Sequence, residues 1–333
     1  MPRKKIIVTD RLAPPADVEL SVFGKKYDIQ LLQATSETQI LPAIKDADGL
    51  LVWHDVQITK KSLSLMKKCR VIVRVGVGFD NVDLAYAAKR NICVSHVPDY
   101  GVDDVADHTW AFVLGIYRNM DFFMKQVKRG AKGWTWEGAN SKRLTGNIMG
   151  IVGLGRIGTA VAMRAKAFGV RIVFYDPYIP RGIEKSLGIE RKETLKELLE
   201  ISDIISFHTP LTNETKNMAN KKFFALMKKG SVIVNTARGE IINSNDLYDA
   251  MKKKTVWAAG LDVLQVEPPP KDDQLANEWN KKNSWLKHRL LITPHCAFYS
   301  PQSFEEMRRK AAQEAKRVLE GFDPISSVNF QLF

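Results

Sequence analysis

The chain has 333 residues, 45% apolar and 26% charged, the makeup of a packed globular protein with enough length for two cores. That makeup excludes wholesale disorder, a collagen-like repeat and a disulfide-stapled miniprotein, and no stretch approaches the roughly 20 apolar residues of a membrane helix. Fifty Lys and Arg against 37 Asp and Glu give a net charge of +13, a field that attracts anions, but the basic residues are dispersed and read as solvated surface rather than a specific nucleic-acid site. In chain order, basic Met1-Pro2-Arg3-Lys4-Lys5 is followed only by Ile6-Ile7-Val8 before Thr9-Asp10, which predicts a first strand rather than a signal peptide. Strands are predicted over residues 6–9, 29–32, 49–53, 71–75 and 92–95, with a helix over 60–68 capped by the Thr59 hydroxyl. Residues 102–130, apolar at Val105, Trp110, Val113, Leu114 and Tyr117, read as one helix running into another. A second series of strands is predicted over 147–152, 171–175, 204–207, 231–235, 257–261 and 290–293. Residues 268–288, opened by three prolines and carrying Trp279 and Trp285, read as a long loop. Over 300–321, Phe304, Met307, Ala311, Ala315, Val318 and Leu319 recur at helical spacing. Strands alternating with helices predict an α/β fold with mainly parallel sheets.

Cys69, Cys93 and Cys296 are odd in number and widely spaced, which suggests neither a disulfide framework nor a zinc site and fits a reducing cytoplasm. His54, His96, His108, His208 and His288 lack partners at ligand spacing, so no metal site is expected.

The firmest motif is Gly153-Leu154-Gly155-Arg156-Ile157-Gly158, directly after the strand ending Ile151-Val152 and opening a helical pattern. Gly153 permits a tight turn, Gly155 lets backbone approach a pyrophosphate, and Gly158 lets helix and strand pack closely. The helix N-terminus then presents N–H groups to the phosphates. The next strand runs into Asp176, where an acid accepts hydrogen bonds from the adenosine ribose and repels a 2′-phosphate, favouring NAD over NADP.

Three further residues close later strands or their loops: Arg238 in Asn235-Thr236-Ala237-Arg238-Gly239, Glu267 in Val266-Glu267-Pro268, and His295 in Thr293-Pro294-His295. An arginine offers paired donors to a carboxylate, a histidine exchanges a proton near neutral pH, and a carboxylate orients it. Those are the parts needed to reduce a 2-keto acid with NADH. Singly, Arg238-Gly239 reads as a surface turn, Glu267 as loop solvation and His295 as a strand-end residue; their order behind the dinucleotide motif favours the catalytic reading.

With Val75-Gly76-Val77-Gly78-Phe79-Asp80-Asn81-Val82-Asp83, His208-Thr209-Pro210-Leu211-Thr212 and Leu261-Asp262-Val263, these motifs resemble the D-isomer-specific 2-hydroxyacid dehydrogenase family over residues 71–320. Phe174-Tyr175-Asp176-Pro177-Tyr178 and Tyr299-Ser300 look most like its C-terminal-binding-protein branch, although Phe298 stands where that branch carries tryptophan. The resemblance implies two Rossmann-like domains, an NAD-binding domain at 102–297 being inserted into a discontinuous substrate domain, 1–101 with 298–333. It implies that Arg238 clamps the substrate carboxylate, His295 is the acid–base residue, Glu267 pairs with it, and Asp262 contacts the nicotinamide carboxamide side. Thr209, Pro210, Thr236 and Ala237 line the cofactor, and backbone of Gly76, Val77 and Gly78, with Arg74, meets the small carboxylate substrate. Residues 102–130 make a homodimer contact in relatives, and Trp134 and Trp136 either cap a neighbouring subunit's cleft or pack under a loop. The alternative function that the branch implies is an NADH-responsive binding protein with little turnover.

Overall fold

The computed structural model describes residues 3–329; Met1, Pro2 and residues 330–333, which fall in the expected first and last segments, lie outside them. Two compact units result, one from the residues up to Gly101 with those from Tyr299 onward, the other Val102–Phe298. The second boundary falls one residue later than expected, leaving Phe298 in the second unit.

In the first unit, β1 (Lys4–Val8), β2 (Tyr27–Leu31), β3 (Gly49–Val52), β4 (Val71–Arg74) and β5 (Cys93–His96) form one parallel sheet in the order β2-β1-β3-β4-β5. Its central strands are buried at every position of β3 and β4, which is why they read as unbroken apolar runs instead of alternating ones. The Thr59 hydroxyl accepts the Lys61 amide as expected, but that helix covers only Lys60–Leu65. The Pro301–Leu319 helix starts at a Ser300–Ser303 capping box with Pro301 in its first turn. It buries Met307, Ala311, Ala315, Val318 and Leu319. Arg308, also buried, reaches Glu19 at 2.6 Å and Asp17 at 2.8 Å, tying the end of this unit to the Asp17–Phe23 helix near its beginning.

In the second unit, β6 (Ile148–Val152), β7 (Arg171–Tyr175), β8 (Glu190–Arg191), β9 (Ile204–Phe207), β10 (Ser231–Asn235), β11 (Val256–Leu261) and β12 (Leu290–Ile292) form a parallel sheet ordered β12-β11-β10-β9-β6-β7-β8. The two-residue edge strand β8 has no sequence signal because it is charged and too short for periodicity. The chain reverses its direction of strand addition between β6 and β9, so their carboxyl ends open a crevice of the kind that takes ligands. Val102–Tyr117 and Met120–Gln126 are the two expected helices, separated at Asn119 by left-handed backbone, φ 53°. The stretch expected as a loop contains a helix, Gln274–Trp279, capped by Asp273. The Trp279 indole N–H donates to Leu290 O, and Trp285 packs on the core, so these two indole contacts hold the segment down despite its prolines. Trp134 and Trp136 are 79% and 82% exposed, so packing under a loop of this chain does not account for them. No helix among the described residues is long and apolar enough to cross a membrane.

Candidate active site

The glycine turn after β6 has the dimensions its sequence demands. A β-carbon on Gly153 (φ +92°) would lie 2.9 Å from the His208 carbonyl oxygen, and one on Gly158 would lie 2.2 Å from Gly153 O. Around Gly155, by contrast, a β-carbon would meet nothing within 4 Å. Two glycines thus serve close packing, and the middle one faces open space where a phosphate fits. The Arg156–Ala165 helix begins at Gly155 with no side-chain cap, leaving the donors of Arg156, Ile157 and the first turn for an anion. The Asp176 carboxylate accepts the Leu154 amide at 2.8 Å and the Tyr178 amide at 2.9 Å, so the acid expected at the ribose is built into the turn itself. Thr209, next to exposed Pro210, has a buried hydroxyl oxygen with no hydrogen-bond partner among the described residues, a vacancy for a ligand's polar group. These residues fit a dinucleotide. Burial pushes the neighbouring His208 imidazole down to about 3. It is therefore neutral at pH 7, paired with the Ser206 hydroxyl.

At the end of β10, Asn235 shapes the next turn. Its carboxamide oxygen accepts the Ala237 amide and its N–H donates to Arg238 O. Thr236 commits its hydroxyl to Thr109 of the Val102–Tyr117 helix at 3.0 Å. Arg238 lies partly buried with Nη1 donating to Ala237 O. Glu267 bridges its own loop to the histidine: Oε1 accepts the Leu264 amide at 2.9 Å, and Oε2 lies 2.7 Å from His295 Nδ1. The expected carboxylate–imidazole pair is thus formed.

Asp262, which the resemblance places at the nicotinamide carboxamide side, also holds the His295 loop. Its backbone carbonyl accepts the His295 amide at 2.7 Å, Oδ1 accepts the Cys296 amide, and Oδ2 the Ala297 amide, both at 2.9 Å. One residue thereby grips three consecutive N–H groups and keeps His295 in left-handed backbone, φ 52°, which an L residue seldom adopts. Thr293 and His108 join this cluster. His108, which has no partner at ligand spacing along the sequence, brings its ring nitrogen within 4.8 Å of ligand-type atoms of Asp262 and Cys296. Burial, then the Asp262 charge, push the Cys296 thiol up, and Asp262 already accepts hydrogen bonds on both oxygens, so the cluster is a clamp by chemistry. No local sequence signal marks His108, since its partner Thr293 is 185 residues away.

In the other unit, Arg74 ends β4 buried, its Nη1 donating to Val75 O and its Nη2 3.0 Å from His54 Nδ1. Gly76 follows at φ +141°, where a β-carbon would stand 2.0 Å from Arg74 Nη1, so only glycine lets the guanidinium fold back. Val77 O meets His96 Nδ1 at 2.6 Å, and half-buried Gly78 follows. His54 is a neighbour of Arg74 that sequence reading missed.

Residues 110–297 match the NAD binding domain of the D-isomer specific 2-hydroxyacid dehydrogenases. The chain is 36% identical over 317 residues to D-3-phosphoglycerate dehydrogenase of Methanocaldococcus jannaschii, covering 95% of this chain and 58% of that one. It is 33% identical over 314 residues to C-terminal-binding protein 1 of Caenorhabditis elegans, covering 92% of this chain and 42% of that one. The chain thus spans about half the length of these curated relatives. D-lactate dehydrogenase of Aquifex aeolicus, solved with NAD and lactic acid, superposes with a TM-score of 0.86 at 30% identity, covering 97% of this chain and 99% of that one. The cofactor of this fold and motif is NAD, and the chain belongs to the D-isomer specific 2-hydroxyacid dehydrogenase family.

Proposed function

We propose that this chain is an NAD-dependent D-2-hydroxyacid dehydrogenase that reduces small 2-keto acids. The observation that carries the reading is the 2.7 Å contact between His295 Nδ1 and Glu267 Oε2, in the unit that holds the dinucleotide turn and Arg238. With Nδ1 committed to the carboxylate, proton exchange with the substrate oxygen falls to Nε2. When bound, NADH supplies the hydride to the keto carbon. Arg238 orients the substrate carboxylate through its paired donors and, with protonated His295, stabilises the developing alkoxide. Asp176 selects NAD over NADP by charge. Arg74 and the backbone of Gly76, Val77 and Gly78 are assigned as further substrate-carboxylate contacts, Thr209, Pro210, Thr236 and Ala237 as cofactor contacts.

The exposed side chains of Met120, Met124, Trp134 and Trp136 support a homodimer through this region, and buried, unbridged Cys69 and Cys93 suit the cytoplasm.

The test is NADH and NADPH oxidation against glyoxylate, hydroxypyruvate, phosphohydroxypyruvate and a bulkier 2-keto acid. At least one turns over with NADH, and His295→Ala lowers that rate about 10²–10⁴-fold. Tight NADH binding with no turnover of any of them would replace this reading with a nucleotide-responsive binding protein, the kind of role the similarity to C-terminal-binding protein 1 favours.

A further inference from the structure

Thr293 has one hydroxyl proton, and its oxygen lies 2.5 Å from Asp262 Oδ1. That carboxylate accepts backbone amides on both oxygens, so it is the acceptor and Thr293 the donor. The same hydroxyl oxygen lies 3.0 Å from His108 Nε2. Its proton being committed, Thr293 accepts there, and His108 Nε2 carries a hydrogen.

The position of His108 is set by packing. A β-carbon on Gly260 of β11 would stand 2.6 Å from the Phe112 side chain, so the Val102–Tyr117 helix sits against the strand only because that residue is glycine. One turn before Phe112, His108 packs edge-on to its ring at 4.8 Å, which aims Nε2 at the Asp262 cluster.

We propose that His108 is a positioning residue for the reaction: its Nε2–H, through Thr293 and Asp262, holds the backbone that keeps His295 in left-handed conformation with Nδ1 on Glu267. Loss of the His108 donor frees the Thr293 oxygen from its partner and loosens the side-chain grip of Asp262 on Cys296 and Ala297, leaving the His295 loop on the backbone bonds from the His295 amide to Asp262 O and Thr293 O. The inference rests on the dehydrogenase reading for its kinetic consequence, but not for its hydrogen-bond consequence.

His108→Phe keeps a ring against Phe112 and removes the donor, whereas His108→Gln returns an N–H of similar reach. With the best keto acid of the panel, His108→Phe lowers kcat about 10- to 100-fold, with the NADH Kd within about twofold of wild type, a transition-state effect rather than lost binding. His108→Gln recovers most of the loss. In 15N-histidine spectra of the wild-type protein, His108 shows hydrogen on Nε2. A bare Nε2 overturns the proposal, as does wild-type kcat in His108→Phe, or a loss of NADH binding that His108→Gln does not restore. If wild type turns over no keto acid, the dehydrogenase reading fails by itself. The His295 ring then decides the inference: an altered Nδ1 signal in His108→Phe supports it, and an unchanged one overturns it.

Discussion

A β-carbon on Gly239 would stand 1.8 Å from the carbonyl oxygen of Leu264, so the arginine turn and the glutamate loop touch backbone to backbone. Leu264 donates its amide to Glu267, whose other oxygen meets His295. Arg238 and His295 are thus linked through Gly239 and Leu264, neither of which takes part in the proposed chemistry, and through Glu267. Gly239→Ala is expected to cost about 1–3 kcal/mol of stability from overpacking. It also lowers kcat/KM for the keto acid about tenfold or more, since a displacement of about 1 Å is that damaging, while NADH affinity stays near wild type. Thermal unfolding, steady-state kinetics and fluorescence titration of NADH separate the three effects.

Asp176 has two tasks. Its oxygens accept the Leu154 and Tyr178 amides, and the proposed function gives its charge a second one, to oppose a 2′-phosphate. Asp176→Ser removes the charge and keeps an acceptor. The ratio of kcat/KM for NADPH over NADH is expected to rise about tenfold or more, because a like-charge clash of several kcal/mol is lifted. An unchanged ratio would show that the preference lies elsewhere.

His208 links stability to pH. Burial holds its imidazole at about 3 against an ordinary 6.5, so between those values the unfolded chain binds a proton that the folded chain does not. The neutral histidine's contribution is complete above pH 6.5 and is lost as pH falls towards 3, at no more than about 1.4 kcal/mol per pH unit. His208→Gln, which cannot titrate, flattens this acid limb in urea unfolding measured across that range. A parallel limb in both proteins would locate the acid sensitivity in other groups.

Trp134 and Trp136 expose more apolar surface than an isolated chain keeps without use. On the proposed homodimer contact, Trp134→Ser with Trp136→Ser shifts the sedimenting species from dimer towards monomer, with far-ultraviolet circular dichroism unchanged. A dimer as tight as wild type would place the contact on another face.

Local features of the chain were enough to reveal the strands of both sheets apart from β8, and the dinucleotide turn, and to single out Asp176, Arg238, Glu267 and His295 as candidates. Strands covered on both faces show as apolar runs, and a phosphate turn needs glycine at set intervals, so both leave marks within a few neighbouring residues. The short β8 strand and the Gln274–Trp279 helix left none, because one is too short for a period and the other is held by the distant contacts of Trp279 and Trp285. Long-range contact alone decided the rest. Asp262 became a clamp on three amides, Thr236 turned its hydroxyl to a helix, Gly239 and Gly260 proved to be points of backbone or ring contact, and His108 met Thr293. Hydrogen bonds and steric exclusions between segments far apart in the chain depend on where folding brings them, and no spacing along the chain encodes that.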